Sequence, residues 1–250
     1  MNTMHESSHP IRGHGRLVGV GVGPGDPELV TTKAIRVIRE SDHVVAPSTA
    51  PDAIGRAEAI VREAAPGTPI DRVCFDMSVD AEATCREIAA TVLIPRLRQG
   101  LQVAFVTIGD PNMYSTFSSV ATAVRSADPC VAIDTVPGIM AFQALAAKSG
   151  TVLLDGVESL TLLTALDGMG PIQSALSCDQ RAVVIYKGGR NAAAIRSCIE
   201  SSGRLEGAVA GELLGLPGER VVAARELDGR PASYLSTVIV PPGSRIRQAE

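Results

Sequence analysis

Two glycine-rich segments hold the residues whose types and spacing could bind a small ligand. The first is Gly19-Val20-Gly21-Val22-Gly23-Pro24-Gly25-Asp26-Pro27, between an apolar run and a helical pattern. The second is Gly109-Asp110-Pro111-Asn112-Met113, which follows the apolar run 102–108. Glycine lets the backbone turn sharply at the end of a strand and leaves room for a ligand. Both segments are predicted to be ligand-approach loops at one edge of a parallel sheet, with an ordinary turn as the alternative for each.

The first segment departs from the common nucleotide-binding motifs. A dinucleotide loop needs glycine at the sixth position of G-x-G-x-x-G, where the two possible frames place Pro24 and Asp26. The Gly-Lys-Ser/Thr of a phosphate-binding loop is also absent. Asp26 is instead placed to cap the helix that follows, with Pro27 at a position where its missing N–H costs nothing. The motif therefore argues against an ordinary nucleotide-dependent oxidoreductase.

Asp110 is the ionisable residue of the second segment. Its carboxylate could accept hydrogen bonds from the hydroxyls of a ribose or from an amine. It could equally cap the helix that follows. The sequence leaves both roles open.

The elements that must position these loops alternate between strand and helix, which predicts an α/β fold with a mostly parallel sheet. Strands are predicted at 43–46, 70–75, 102–108, 131–136, 160–166, 182–186, 207–214, 221–227 and 236–240. Helices are predicted from residue 29 onwards and at 52–64, 80–98, 141–147 and 191–200, with an interruption at Pro95. The domains expected are a disordered extension (1–15), two α/β domains (16–137 and 138–242) and a polar tail (243–250).

Composition excludes several classes of protein. The 250 residues carry a net charge of −4 and no Trp, which argues against a nucleic-acid or membrane-surface protein. No apolar run approaches the ~18 residues of a membrane span, and the leading residues contain no apolar signal region, so a cytoplasmic protein is expected. Five scattered cysteines without a C-x-x-C pair predict neither disulfides nor a zinc site. His43 is interpreted as a satisfied interior histidine and not as a ligand, so no metal is expected.

Four segments, taken in order, resemble the tetrapyrrole methylases, and together they span nearly the whole chain. They are Gly21-Val22-Gly23-Pro24-Gly25-Asp26-Pro27, Gly109-Asp110-Pro111, Val136-Pro137-Gly138-Ile139 and Val183-Val184-Ile185-Tyr186-Lys187. Within that family, Tyr114-Ser115-Thr116-Phe117 and Lys187-Gly188-Gly189-Arg190-Asn191 are similar to segments of the precorrin-2 C20-methyltransferases. The resemblance weakens between residues 150 and 180, and Leu213-Leu214-Gly215 departs from the family pattern.

The resemblance implies a bilobal fold of two α/β domains, usually a homodimer, with S-adenosylmethionine bound in the cleft between the domains. The cofactor contacts that it implies are Gly23, Pro24, Gly25, Ile108, Gly109, Asp110, Met113, Met140, Ala141 and Lys187. The activity implied is methyl transfer to the C20 meso carbon of precorrin-2 or cobalt-factor II, giving precorrin-3A or its cobalt counterpart.

Two further sets of residues follow from that activity. The base that removes the C20 proton is sought among Asp110, Tyr114 and Glu158, although Tyr114 could equally be a core residue. Because the substrate carries many carboxylates, Tyr114, Lys187 and Arg190 are expected to bind it; the two cations could instead be solvated surface charges.

Other functions remain open from the sequence. The methylated carbon could lie elsewhere on the tetrapyrrole ring. A diphthine synthase or a ribosomal-RNA methylase would share the fold, although the net charge of −4 and the Tyr-Ser-Thr segment count against both. A non-enzymatic ligand-binding protein with the same cleft is the alternative from another class.

Overall fold

The computed structural model describes residues 14–75, 80–227 and 235–246. The chain divides into two compact units, Met1–Ile139 and Met140–Glu250. Each unit is built on a five-stranded sheet. Of the predicted N-terminal extension (1–15), residues 1–13 lie outside the described residues.

The first unit carries a wholly parallel sheet with the strand order β3-β2-β4-β1-β5. Its strands are β1 (Arg16–Gly21), β2 (His43–Ser48), β3 (Asp71–Cys74), β4 (Gln102–Thr107) and β5 (Ala132–Val136). Its helices are α1 (Thr32–Glu40), α2 (Arg56–Ala64), α3 (Ala81–Ile88), α4 (Ile94–Leu97) and α5 (Thr116–Ala127). The run 102–108 was predicted to be a central strand, and β4 is the middle strand of the five.

Apolar side chains cover both faces of this sheet, as expected for parallel strands enclosed by helices. On one face Phe105 and Leu97 are fully buried in a cluster with Phe117. On the other face Val20 and Ile38 are buried in a second cluster. The helices therefore lie on both sides of the sheet and leave its edges for the loops.

The helix after the first loop begins later than the sequence indicated. Asp26 does act as a cap, since its carboxylate accepts a hydrogen bond from the backbone N–H of Glu28 at 2.9 Å. It caps only one 3-10 turn, Pro27–Leu29, and α1 begins at Thr32 with its own cap, Thr31. The helical spacing of apolar residues continued through both pieces, so periodicity alone did not reveal the break.

The predicted helix 80–98 forms three consecutive pieces. Between α3 and α4 the residues Ala89–Leu93 form a π-helical turn. Pro95 lies directly after this turn, near the start of α4. Proline has no N–H for the helical ladder, so the interruption predicted at Pro95 is confirmed as a local rewinding of the helix.

The second unit carries a mixed sheet with the order β6-β7-β10-β8-β9, in which only β6 and β7 pair in parallel. Its strands are β6 (Ser159–Thr164), β7 (Arg181–Tyr186), β8 (Val209–Glu212), β9 (Arg220–Ala223) and β10 (Ser236–Val240). Its helices are α6 (Ala141–Ser149), α7 (Gly170–Leu176), α8 (Ala192–Ser201) and α9 (Gly243–Ile246). The sequence missed α7, and the first four residues of the predicted polar tail (243–250) form α9. Residues 247–250 lie outside the described residues.

Glu58 and Arg204 are charged residues that are buried away from the loops. The carboxylate of Glu58 is fully buried and accepts hydrogen bonds from Arg72 at 2.7 and 2.8 Å and from Arg62 at 2.7 and 2.9 Å. These bonds, first those of Arg72, lower the pKa of Glu58 to about 2. In the second unit the buried guanidinium of Arg204 donates to the backbone carbonyl of Pro241 and to other main-chain carbonyls.

The imidazole Nδ1 of His43 forms a hydrogen bond with the carboxylate of Asp71 at 3.1 Å. His43 therefore has a protein partner, as the sequence predicted.

Candidate functional site

Three loops of the first unit lie side by side because β1 is paired with β4 on one side and β5 on the other. We call residues 22–26 the first loop, 108–115 the second loop and 137–139 the third loop. All three follow the carboxyl ends of parallel strands, so they meet at one edge of the sheet. After β1 the chain crosses to β2 on one side, and after β4 it crosses to β5 on the other side, so the connections reverse their direction here. Parallel sheets bind ligands at the carboxyl ends of strands where the connections reverse in this way.

A backbone bridge joins the first loop to the second. The N–H of Gly109 donates to the carbonyl of Gly23 at 2.7 Å, and the two residues form an isolated antiparallel bridge. The N–H of Val22 donates to the carbonyl of Thr107 at 2.9 Å. Gly109 has a φ of +69°, a conformation that residues with a side chain rarely adopt. The glycine at this position therefore lets the second loop turn back onto the first.

Asp110 joins the second loop to the third. Its Oδ2 accepts a hydrogen bond from the N–H of Gly138 at 3.0 Å, and its Oδ1 accepts one from the N–H of Asn112 at 2.8 Å. The helix α5 is capped by Ser115, whose hydroxyl accepts from the N–H of Phe117 at 3.1 Å. The alternative role of Asp110 as a helix cap is therefore wrong. Its carboxylate instead ties the second loop to the third loop.

The third loop approaches the others so closely that only glycine fits. A Cβ on Gly138 would lie 2.1 Å from the carbonyl oxygen of Gly109 and 2.9 Å from the Cα of Gly21. Both are backbone atoms, so neither neighbour could rotate away. The three loops consequently form one packed group of main-chain segments.

Two large side chains of the second loop point outwards from this group. Tyr114 is 49% exposed and Met113 is 41% exposed. The alternative in which Tyr114 is a core residue is therefore wrong. Tyr114 also has a φ of +50°, which is uncommon for a bulky residue. Asn112 steadies the same loop by donating from Nδ2 to the hydroxyl of Thr135 at 3.2 Å.

In the second unit, Tyr186 fixes the start of α6, the helix that begins with Met140 as its cap and Ala141 as its first residue. The N–H of Phe142, in the first turn of α6, donates to the hydroxyl of Tyr186 at 3.1 Å. Tyr186 is the last residue of β7, directly before Lys187. The start of α6 therefore lies beside the carboxyl end of β7, and Arg190 follows in an exposed turn.

The backbone at Lys187 is also unusual. Lys187 has a φ of +58°, and its N–H donates to the carbonyl of Ser236 at 3.2 Å. The hydroxyl of Ser236 is buried and has no hydrogen-bond partner in the part of the chain that the structure describes. A buried hydroxyl without a partner costs free energy, which a bound ligand would recover. Sequence reasoning missed Ser236, since a serine at the start of a strand carries no distinguishing pattern.

Glu158 lies at the opposite end of the same strands. It precedes β6, whereas Lys187 follows β7, and the two strands run in parallel with Ser159 opposite Arg181. The carboxylate of Glu158 pairs with Arg245 at 2.7 Å, and hydrogen bonds from that guanidinium lower its pKa. A lowered pKa makes a weaker base, so the structure argues against Glu158 as the catalytic base. It joins the start of β6 to α9 instead.

Among the described residues, no helix is both long and apolar enough to cross a membrane.

Comparison with known proteins gives a family match over most of the chain. Residues 16–228 match the family described as Tetrapyrrole (Corrin/Porphyrin) Methylases. This is the family that the four sequence segments resemble.

Three curated relatives match over nearly all of the chain. Cobalamin biosynthesis protein CobIJ of Mycobacterium bovis is 33% identical over 92% of this chain, which spans about half (47%) of that relative. The precorrin-2 C(20)-methyltransferase of a Sinorhizobium species is 30% identical over 92% of this chain and 96% of its own length. The cobalt-precorrin-2 C(20)-methyltransferase of Salmonella typhimurium is 31% identical over 91% of this chain and 96% of its own length.

Solved structures share the fold at lower identity. The cobalt precorrin-4 methyltransferase CbiF aligns with a TM-score of 0.66 at 22% identity, over 90% of this chain and 94% of its own. The uroporphyrin-III C-methyltransferase of Thermus thermophilus, complexed with S-adenyl homocysteine, aligns with a TM-score of 0.62 at 21% identity, over 93% and 100%. These likenesses confirm the predicted α/β fold.

Proposed function

The chain belongs to the tetrapyrrole methylase family of S-adenosylmethionine-dependent methyltransferases, and we propose that it methylates C20 of precorrin-2 or of cobalt-precorrin-2. The observation that carries the proposal is the similarity to two enzymes named for transfer to C20, each matched over 96% of its length. The Tyr114-Ser115-Thr116-Phe117 sequence, which ends the second loop and begins α5, resembles that group and supports the same position on the ring.

The described residues fit a nucleoside-containing methyl donor. In the first unit, close packing at Gly138 and the bridge between Gly23 and Gly109 leave backbone, without side chains, at the edge of the sheet. In the second unit, the buried hydroxyl of Ser236 lacks a partner among the described residues, beside the strained backbone of Lys187. The ribose hydroxyls and the amino-acid part of such a donor can form hydrogen bonds with the backbone of the first unit's loops. S-adenosylmethionine supplies a methyl group already activated by its sulfonium.

The chain itself therefore has to bind, orient and exclude water, because the transferred methyl needs no covalent activation by a side chain. Orientation of this kind can lower a barrier by about 7–11 kcal/mol in favourable cases. We assign Asp110 to this task, since it holds the second and third loops together. It positions the loops, and the rest of its oxygen lone pairs stay able to accept from the donor.

Tyr114, Lys187 and Arg190 are proposed to contact the tetrapyrrole. Tyr114 stands out from the second loop, while Arg190 is exposed beside Lys187 in the second unit. The substrate carries several carboxylates, which guanidinium and ammonium groups bind through charge-assisted hydrogen bonds. Removal of the C20 proton restores conjugation in the ring, and with Glu158 set aside we propose Asp110 or Tyr114 as the base for this step.

The test is a product analysis with the purified chain. Precorrin-2 and cobalt-precorrin-2 are offered separately with S-adenosylmethionine carrying a ¹³C-methyl group, and products are analysed by mass spectrometry and NMR. One labelled methyl on C20 is expected, and the faster substrate identifies the physiological one. Label at another ring carbon would overturn the C20 assignment while keeping the family. Absence of transfer from either substrate, with S-adenosylhomocysteine still bound, would also overturn it.

We also propose that the chain is a cytoplasmic homodimer, as the resemblance implies. In support, the segment before β6 exposes the apolar side chains of Val152, Leu154 and Val157, the last to 88%. Light scattering should give twice the chain mass for the wild type and a shift towards the monomer for Val157→Asp. A monomeric wild type would contradict the proposal.

A further inference from the structure

Three residues with metal-binding side chains meet at the other end of the first unit's sheet. His14, Asp128 and Cys130 each place one ligand atom within 4.8 Å of the other two. They lie before the amino ends of β1 and β5. The loops of the candidate site follow the carboxyl ends of these strands, about 20 Å away along β1. The cluster is therefore separate from that site.

Strand register explains why residues so far apart in the sequence meet. β1 and β5 are parallel neighbours with Arg16 opposite Ala132. His14 lies two residues before the start of β1, and Cys130 lies two residues before the start of β5. Asp128 comes from the residue that ends α5. The pairing of β1 with β5 therefore brings the three residues together.

The spacing suits a tetrahedral ion. His14 Nε2 lies 3.6 Å from Asp128 Oδ1, too far for a good hydrogen bond. Two ligand atoms at Zn–N and Zn–O distances of 2.0–2.1 Å are separated by about 3.4 Å across a tetrahedral ion. The two atoms are therefore about as far apart as two ligands of one tetrahedral ion. The Sγ of Cys130 lies within 4.8 Å of both of these atoms, on an exposed side chain.

The Nε2 of His14 faces the cluster, 3.6 Å from Oδ1 of Asp128 and without a short hydrogen bond to it. This nitrogen is therefore available as a metal ligand. Cys130 is a free, exposed thiol. The cluster therefore offers an imidazole nitrogen, a carboxylate oxygen and a thiol sulfur as ligand atoms.

Other contacts hold the ligand-bearing segments in place. The N–H of Gly15 donates to the carbonyl of Leu97 at 2.6 Å. Arg98 donates to Oδ2 of Asp128 at 3.0 Å, and the N–H of Cys130 donates to Oδ1, the oxygen that faces His14, at 3.4 Å. These bonds hold Gly15 and Asp128 beside the amino ends of β1 and β5.

We propose that His14, Asp128 and Cys130 bind a borderline divalent transition-metal ion of the Zn²⁺ class, with water at the fourth position. Imidazole nitrogen, carboxylate oxygen and thiolate sulfur are the ligands that Zn²⁺ takes in proteins. The sequence predicted no zinc site because it has no closely spaced cysteines, whereas His14 reaches Asp128 and Cys130 only through the pairing of β1 with β5. The ion would fasten the amino end of β1 to the segment that enters β5.

The test uses the full chain without an added histidine tag, reduced and stripped of metal with a chelator. Co²⁺ is titrated as the spectroscopic probe, and Zn²⁺ is then added to displace it. We expect one ion per chain, a thiolate-to-cobalt charge-transfer band and the intense visible bands of tetrahedral cobalt. Cys130→Ser should abolish the charge-transfer band, and both Cys130→Ser and His14→Ala should weaken binding by at least about tenfold.

Cys178→Ser is the matched control, because Cys178 is a loop cysteine of the second unit. It should bind cobalt as the wild type does. As a second readout, Zn²⁺ should raise the melting temperature of the wild type and of Cys178→Ser but not of Cys130→Ser. The proposal is overturned if the wild type gives no charge-transfer band, which would leave only an ion pair between His14 and Asp128. Equal weak binding by all four proteins would mean an adventitious ion only, and would overturn it too.

Discussion

Replacement of Asp110 by Asn tests whether this residue positions the loops. The carboxylate offers an oxygen to the N–H of Asn112 at 2.8 Å and another to the N–H of Gly138 at 3.0 Å. An amide of the same shape has only one oxygen and replaces the other by an NH₂ donor. Whichever way the amide turns, one of the two backbone donors faces another donor. Asp110→Asn therefore breaks one contact and leaves the size of the side chain unchanged.

The expected magnitude follows from the contact that is lost. A hydrogen bond to a charged group contributes about 1.5–3 kcal/mol, and Asp110 is half-buried, so the lower end applies. If the lost hydrogen bond destabilises the arrangement of the second and third loops, a smaller fraction of the protein can bind S-adenosylhomocysteine. The apparent Kd for this ligand then rises in proportion. A loss of about 1.5 kcal/mol corresponds to roughly a tenfold higher Kd. Asp110→Ala removes both contacts and should weaken binding further.

The assay is isothermal titration calorimetry with S-adenosylhomocysteine, paired with thermal unfolding. Asp80→Asn is the matched control, because Asp80 also accepts one backbone N–H, that of Glu82 at 2.9 Å, and Asn caps a helix equally well. The control should bind as the wild type does. Wild-type affinity in Asp110→Asn, with full folding, would refute the positioning role. A binding defect of the same size in Asp80→Asn would refute it as well.

Three further outcomes are expected. Gly138→Ala should weaken binding of S-adenosylhomocysteine at least about tenfold in calorimetry, since its Cβ would lie 2.1 Å from the oxygen of Gly109; Gly170→Ala, whose Cβ meets no atom within 4 Å, should not. The free energy of unfolding of the wild type should exceed that of Glu58→Gln by up to about 3 kcal/mol above pH 4.5, because the folded-state pKa of Glu58 is about 2. Urea titrations should show this difference disappearing as the pH falls towards 2, and a constant difference would contradict the assignment. Glu158→Gln should lower the melting temperature but keep the initial rate of methyl transfer within about twofold; a much slower enzyme would restore Glu158 as a catalytic candidate.

Much of the first unit could be predicted because its signals are local. Apolar runs bounded by glycine gave β4, and alternation of strands with helices gave the parallel sheet. The two glycine-rich loops were found from composition alone. Their meeting follows from the strand order, since β4 and β1 are neighbours despite the 80 residues and more between them in the sequence.

The partners inside the site could not be predicted because they are set by tertiary contacts. Asp110 was expected to meet a ligand or cap a helix, yet its oxygens are held by the N–H groups of Asn112 and Gly138. Tyr186 was noted only as part of a strand, although its hydroxyl fixes the start of α6. Glu158 was placed near the chemistry by its position in the sequence, but the register of β6 and β7 puts it at the other end of the sheet.

The difference between packed backbone and exposed side chains indicates which residues select the methylated carbon. The residues that carry the family resemblance in the first unit are mostly glycines and prolines, and at Gly21 and Gly138 the three loops pack so closely that a Cβ would not fit. Backbone packed in this way can bind a donor common to the whole family, but it offers nothing that distinguishes one ring carbon from another. That distinction needs side chains that leave the packed loops, and in the second loop these are Met113 and Tyr114. Exchange of Tyr114 should therefore alter the rate or position of methylation more than the affinity for S-adenosylhomocysteine, whereas exchange of Gly138 should alter the affinity first.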